Sequence, residues 1–287
     1  MIVERQRHDW RIRDRSFTLG ARTLVMGVVS LESETAGERI DPEVVLDKAH
    51  ALEQQGADLI ELHGGPIYVD GRPLTADEEL SKLVPILRKL RHNLDAPVSI
   101  NTYNAETAER AIELGVQIIN DVSGLAFDGK LAGVINQSDV GLILTHMRGT
   151  PDTWKRLPAV PDLVGTIGRD LESSLARARG AGIDRRRIVV DPGLELGKRG
   201  PENMKILTQL HRLAHLQQPI LVSPSQKRFM TESVRATDSE WSLAAVAAST
   251  ITIYGGAHIL RVHEVEAVAQ AAKFADRLFE LDDQRAS

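Results

Sequence analysis

The chain has 287 residues, 42% of them hydrophobic and 26% charged, with 40 acidic against 35 basic side chains and a net charge of −5. Neither sign is blocked into a tail and no basic stripe appears, which argues against a nucleic-acid partner. With no cysteine, disulfides and thiolate metal sites are excluded. The charged opening, residues 1–17, lacks the apolar core of a secretory signal. The longest apolar stretch, Leu243–Tyr254, is interrupted by Ser249, Thr250 and Thr252 and is too short to span a bilayer. A cytoplasmic protein without a membrane partner is expected. Length alone fits one large domain over 1–287 as well as two.

In chain order, a hairpin is expected over Trp10–Phe17. Short apolar runs then follow at Thr23–Val29, Asp58–Leu62, Pro97–Asn101, Gln117–Asp121, Gly141–Thr145, Arg187–Asp191, Ile220–Ser223 and His258–Val262. Such runs suit parallel strands buried on both faces. Helical patterns fill the gaps. The first starts at Asp41-Pro42, with proline in the first turn, and carries Val45, Ala49 and Leu52 on one face. Others are expected over about 77–94, 104–114, 130–137, 161–179, 201–213 and 239–254, and the last aligns Val265, Val268, Ala272, Ala275 and Leu278. Strands and helices alternating eight times predict an α/β fold, a single (β/α)8 TIM barrel with a short N-terminal hairpin. A doubly wound sheet is the lesser alternative, because the first strand runs into Ser30-Leu31-Glu32-Ser33-Glu34 rather than a glycine-rich fingerprint.

Barrels of this kind place chemistry at the C-terminal ends of their strands. Polar groups stand there in number: Ser30 to Glu34, Glu61 to Gly65, Asn101, Asn120-Asp121, His146, Asp191, Ser225 to Lys227 and Arg261 to His263. A polar group at the end of a buried strand needs a partner, so together they predict a polar mouth. His146 is expected to be a structural, hydrogen-bonded histidine.

Several of these residues belong to ordered motifs. Met26-Gly27, Ser99-Ile100-Asn101-Thr102-Tyr103, Ile119-Asn120-Asp121-Val122-Ser123-Gly124, His146-Met147-Arg148-Gly149, Asp191-Pro192-Gly193, Ser225-Gln226-Lys227 and Arg261-Val262-His263-Glu264-Val265 resemble the motif series of dihydropteroate synthases. The resemblance covers nearly the whole chain. It implies condensation of a dihydropterin diphosphate with p-aminobenzoate in folate biosynthesis, with Mg²⁺ as helper. It further implies that Asn120 and Asp191 read the pterin edge beside Asn101 and Ser225. Lys227 would face the pterin carbonyl, while Arg261 and His263 hold the diphosphate. Lys227, Arg261 and His263 are thus the candidate catalytic residues. Members of that family are commonly homodimers packed through the late helices, and Trp241–Tyr254 is apolar enough for that role.

The departures fall on the loops. Where the family reads Asn-Val-Thr-Pro-Asp-Ser-Phe, this chain has Ser30-Leu31-Glu32-Ser33-Glu34-Thr35-Ala36, and that loop looks shorter by about three residues. Glu61 replaces a strand aspartate, Asn101 an aspartate, Gln226 an arginine and Glu195 a glycine. Loss of the loop asparagine and gain of glutamates predict slow turnover, because one preorganised donor is worth about 2.7–4 kcal/mol at a developing charge. Two other readings remain open here. One is a paralogue that binds a pterin or a partner without catalysis. The other is a metal-dependent barrel enzyme using Glu32, Glu61 and His63, since Glu61 and His63 share a strand face and three such groups offer an O/N donor set.

Overall fold

The computed structural model describes residues 5–32, 40–65, 68–69, 72–230 and 241–286. Strands β1 (His8–Ile12) and β2 (Arg15–Leu19) pair antiparallel as the expected hairpin. Eight parallel strands follow: β3 (Leu24–Ser30), β4 (Leu59–His63), β7 (Val98–Asn101), β8 (Ile118–Asp121), β9 (Gly141–Thr145), β10 (Ile188–Asp191), β11 (Leu221–Val222) and β12 (Ile259–Val262). Between β4 and β7 lies a small ribbon of β5 (Tyr68–Val69) and β6 (Arg72–Pro73). Each barrel strand pairs with its neighbour, β12 returns to β3, and a bridge from Val190 to Ile220 joins β10 to β11 and closes the ring.

The outer layer is formed by α1 (Pro42–Gln54), α2 (Ala76–Leu90), α3 (Ala105–Glu113), α4 (Leu131–Asn136), α5 (Leu163–Gly180), α6 (Gly200–Thr208), α7 (Trp241–Tyr254) and α8 (Val265–Ala286). Caps explain several starts. Asp41, Asn104 and Asp162 accept from backbone N–H groups of the first turn, and Thr75 with Glu78 makes a capping box. Two expected helices come out shorter. The segment after Leu90 breaks where His92 turns left-handed at φ 66°. Beyond α6 the chain tightens into a 3₁₀ helix, Leu210–Leu216, because Leu210, Leu213 and Leu216 recur every three residues and all are buried. The expected residues 239–240 lie outside the described ones.

The barrel interior is layered by the two-residue period of the strands. Leu59, Ile118, Ile143, Val189, Leu221 and Ile259 form an apolar layer with Leu24 and Met26, and Trp10, Ile12 and Leu19 of the hairpin seal it from below. Gly141 leaves the space for this plug, since a Cβ there would lie 3.2 Å from both Ile12 and Trp10. The Trp10 indole N–H is satisfied by the Arg187 carbonyl at 3.1 Å. Two residues further along the same strands stand Glu61, Asn120, Thr145, Asp191, Ser223 and Arg261, so these six strands turn polar above the plug, while β3 keeps the buried Val28 beside Glu61. Trp10→Ala empties the bottom of the barrel and is expected to cost about 3–5 kcal/mol. The urea-unfolding midpoint measures it, and an unchanged midpoint would show that the hairpin is not part of the core.

Candidate active site at the barrel mouth

A recess of about 440 Å³ opens above the polar layer. Asn101, Asn120 and Asp191 line it together with Ser225, Lys227, Arg261 and His263, so every residue expected to bind a substrate faces one cavity. Ser30, Glu32, His63 and Gln226 line it as well. Glu34 lies outside the described residues.

The base of the recess is a hydrogen-bonded network. Glu61 is fully buried; its Oε1 accepts from Arg261 Nε at 2.5 Å and its Oε2 from Asn120 Nδ2 at 2.8 Å and Ser99 Oγ at 3.3 Å. Thr145 Oγ1 donates to Asn120 Oδ1 at 3.0 Å, and Arg261 Nη1 donates to Ser223 Oγ at 3.2 Å. Asn120 therefore has a fixed amide orientation. Asp191 accepts from the Gly193 N–H at 2.7 Å, and among the described residues no protein group donates to its second oxygen. Burial pushes its carboxyl up to about 6, against the pull of that hydrogen bond and of Lys198, Lys227 and Arg261. The amide oxygen of Asn101 is buried without a partner.

Two imidazoles stand higher. His63 and His263 are each held down to about 4, first by burial and then by Arg261, so both are neutral at pH 7. Ser225 Oγ lies 3.0 Å from His263 Nδ1 and donates to Glu264 Oε2 at 2.5 Å. With its one proton given to Glu264, Ser225 accepts from Nδ1–H, which assigns His263 a bare Nε2. Lys227 is half-buried and its ammonium is lowered, by burial first and Arg261 second.

The expected cation set is corrected by these contacts. Glu32 and His63 do line the recess, but Glu61 sits a layer below, with both oxygens taken by Arg261, Asn120 and Ser99. Among the described residues no three His, Asp or Glu side chains are grouped to hold a metal ion. The strand period that made Glu61 and His63 share a face also set them at different depths. His146 is structural as expected, buried with Nε2 3.0 Å from Asp170 Oδ2. Asp121 is likewise spent on its own turn, accepting from Ser123 and Leu125. Strand reading passed over Thr145, Ser223 and Lys198. The first two carry a legible signal, each lying two residues beyond an apolar interior position. Lys198 carries none, because its ammonium reaches the carbonyls of His146, Gly193 and Leu196 only after the loop folds. Glu61→Ala would strand the buried Arg261 guanidinium, so a loss of about 3–5 kcal/mol is expected in urea unfolding at pH 7. A loss below 1 kcal/mol would mean that water reaches the pair.

Comparison with known proteins agrees with this geometry. The family model described as pterin binding enzyme matches residues 30–263. The dihydropteroate synthase of Synechocystis sp. is 34% identical, covering 92% of each chain, and that of Bacillus subtilis is 31% identical, covering 90% of this chain and 89% of its own. Among solved structures, dihydropteroate synthase from Clostridium difficile in the presence of pteroic acid superposes with a TM-score of 0.84 at 30% identity, covering 92% of this chain and 99% of that one. The Xanthomonas albilineans enzyme with 4-aminobenzoic acid has a TM-score of 0.84 at 29% identity, covering 94% and 98%. With the barrel, the recess and a match over most of its length in agreement, the chain belongs to the pterin-binding enzyme family.

Proposed function

We propose that this chain is a dihydropteroate synthase of folate biosynthesis, condensing a dihydropterin diphosphate with p-aminobenzoate and releasing diphosphate. The observation that carries the reading is the base of the recess: a buried carboxylate, Asp191, with an oxygen open to a ligand, beside an amide, Asn120, whose orientation is fixed. A pterin offers a 2-amino group and an N3–H to such a carboxylate and mixed donors and acceptors to the amide and to Asn101. Lys227 supplies positive charge toward the pterin carbonyl, and Arg261, whose Nε and Nη1 are held by Glu61 and Ser223, offers its Nη2 toward the diphosphate. Ser225 orients His263, whose bare Nε2 is a proton acceptor at neutral pH and so can take the proton the attacking amine loses. The chain's part is thus positioning and charge stabilisation around an in-place pair of reactants.

The set Glu32, Glu61 and His63 does not fit the family's Mg²⁺, since both Glu61 oxygens are taken by Arg261, Asn120 and Ser99. Ser30 and the exposed Glu32 stand at the mouth where the leaving group would sit. A carboxylate there opposes developing negative charge, so turnover on the order of a thousandfold below a typical ~10 s⁻¹ is expected. Diphosphate release with both substrates saturating tests this. No release at any enzyme concentration, with pterin binding intact, would favour the non-catalytic paralogue.

The carboxyl of Asp191 adds a pH signature. A group poised near 6 is ionised at pH 7.5 and protonated below 6, so pterin affinity should fall about tenfold per unit as pH drops below 6. Asp191→Asn should weaken binding at every pH and flatten that slope in calorimetric titrations. A slope unchanged by the substitution would remove Asp191 from the pterin contact.

A second copy of the chain is proposed as a partner. Met204 on α6, Leu243 and Ile251 on α7 and Phe274 on α8 are exposed large apolar side chains on neighbouring helices. Sedimentation should show a dimer, with Leu243→Glu shifting it to monomer while the fold is kept. A wild-type monomer at micromolar concentration would refute the assignment.

A further inference from the structure

Two loops flank the Asp191 side of the recess, one after β10 and one after β11, and both contain residues in an unfavourable backbone conformation. Glu195 has φ 66° and Gln226 has φ 49°, the left-handed region that residues with a Cβ rarely adopt. Such conformations persist where surrounding contacts over-determine them. At Glu195 the contacts are explicit. The amide oxygen of fully buried Asn203 accepts from the Glu195 N–H at 2.8 Å, while the Asn203 amide nitrogen donates to the carbonyls of Lys198 and Arg199. The Lys198 ammonium in turn holds the carbonyls of Gly193 and Leu196 on either side. With its backbone fixed at both ends, Glu195 extends its carboxylate across to the second loop, where Oε1 accepts from the Phe229 N–H at 3.0 Å.

That acceptor stands at a particular turn. Lys227 begins it, with its carbonyl taking the Met230 N–H at 3.0 Å, and Phe229 is buried beneath in the same cluster as Leu194. The Glu195 carboxylate thereby accepts from an early N–H group of this turn, where a negative charge is favoured. The charge matters too. Arg261 and burial both disfavour the Lys227 ammonium; Glu195 is the first of three carboxylates that favour it, before Asp191 and Glu61. We propose that Glu195 is a positioning residue for Lys227, tying the two loops together and supplying the charge that balances the lysine over the recess. The role of Lys227 rests on the reading of the recess as a pterin site; the coupling of Glu195 to Lys227 does not.

Two substitutions separate tether from charge. Glu195→Gln keeps an oxygen for the Phe229 N–H and loses only the charge. Glu195→Gly loses both and relieves the left-handed strain, so it is expected to fold with an undiminished melting temperature. The readout is acylation of Lys227 by an amine reagent, followed by peptide mass spectrometry across pH 6–11 with no pterin present. Loss of a neighbouring carboxylate should move the midpoint of Lys227 reactivity down by about one unit in both variants. Glu195→Gly should also weaken pterin binding about tenfold, the worth of one hydrogen bond to a charged group, whereas Glu195→Gln should weaken it less at pH 7. Identical Lys227 profiles in the three proteins would overturn the inference. Wild-type protein that binds no pterin, with the Lys227 midpoint still shifted by Glu195→Gln, would overturn the functional reading and leave the coupling standing.

Discussion

The site depends on one buried ion pair, Glu61 with Arg261. A carboxylate with no exposure is tolerated only if its charge and lone pairs are matched, and here they are matched by Arg261, Asn120 and Ser99. Through Asn120 the network reaches Thr145, and through Arg261 it reaches Ser223. One carboxylate thereby couples β4, β7, β8, β9 and β12 and the residue just past β11. The recess above inherits its shape from that coupling, since Asn120 and Arg261 cannot turn without breaking it.

The network rests on an apolar layer and would be misplaced without it. Trp10 and its hairpin neighbours fill the bottom of the barrel, and Leu59, Ile118 and Ile259 stand one step below Glu61, Asn120 and Arg261. The plug excludes water from beneath, so the polar layer can be hydrated only from the mouth. Low local dielectric then accounts for the raised carboxyl of Asp191 and for the neutral imidazoles of His63 and His263. Polar at the top and sealed at the bottom, the barrel presents one face to a ligand.

The two faces of the recess differ in how they are built. The base comes from strands, with rotamers locked by neighbours on the sheet. The Lys227 side comes from loops, and order there is supplied by contacts across loops: Lys198 on three carbonyls, Asn203 on Glu195, and Glu195 on Phe229. A rigid floor under a tethered wall suits a reaction whose flat heterocycle stays put while a second reactant enters and a charged group leaves.

Much of this was legible in the amino-acid order. Apolar runs broken by amphipathic stretches specify the barrel, because parallel strands buried on both faces have no other composition open to them. The ordered motifs at strand ends identify the residues around the recess, from Asn101 to His263. Depth was not legible. Glu61 and His63 read as partners for a cation because a strand repeats every two residues; the stacking of eight strands put one inside the network and left the other at the rim. The tautomer of His263, the reach of Lys198 to His146 and the crossing of Glu195 to Phe229 join residues 34 to 52 positions apart on different loops and strands. Such contacts follow from how the ring closes, a long-range packing event that no local pattern encodes, and the tertiary structure alone decided them.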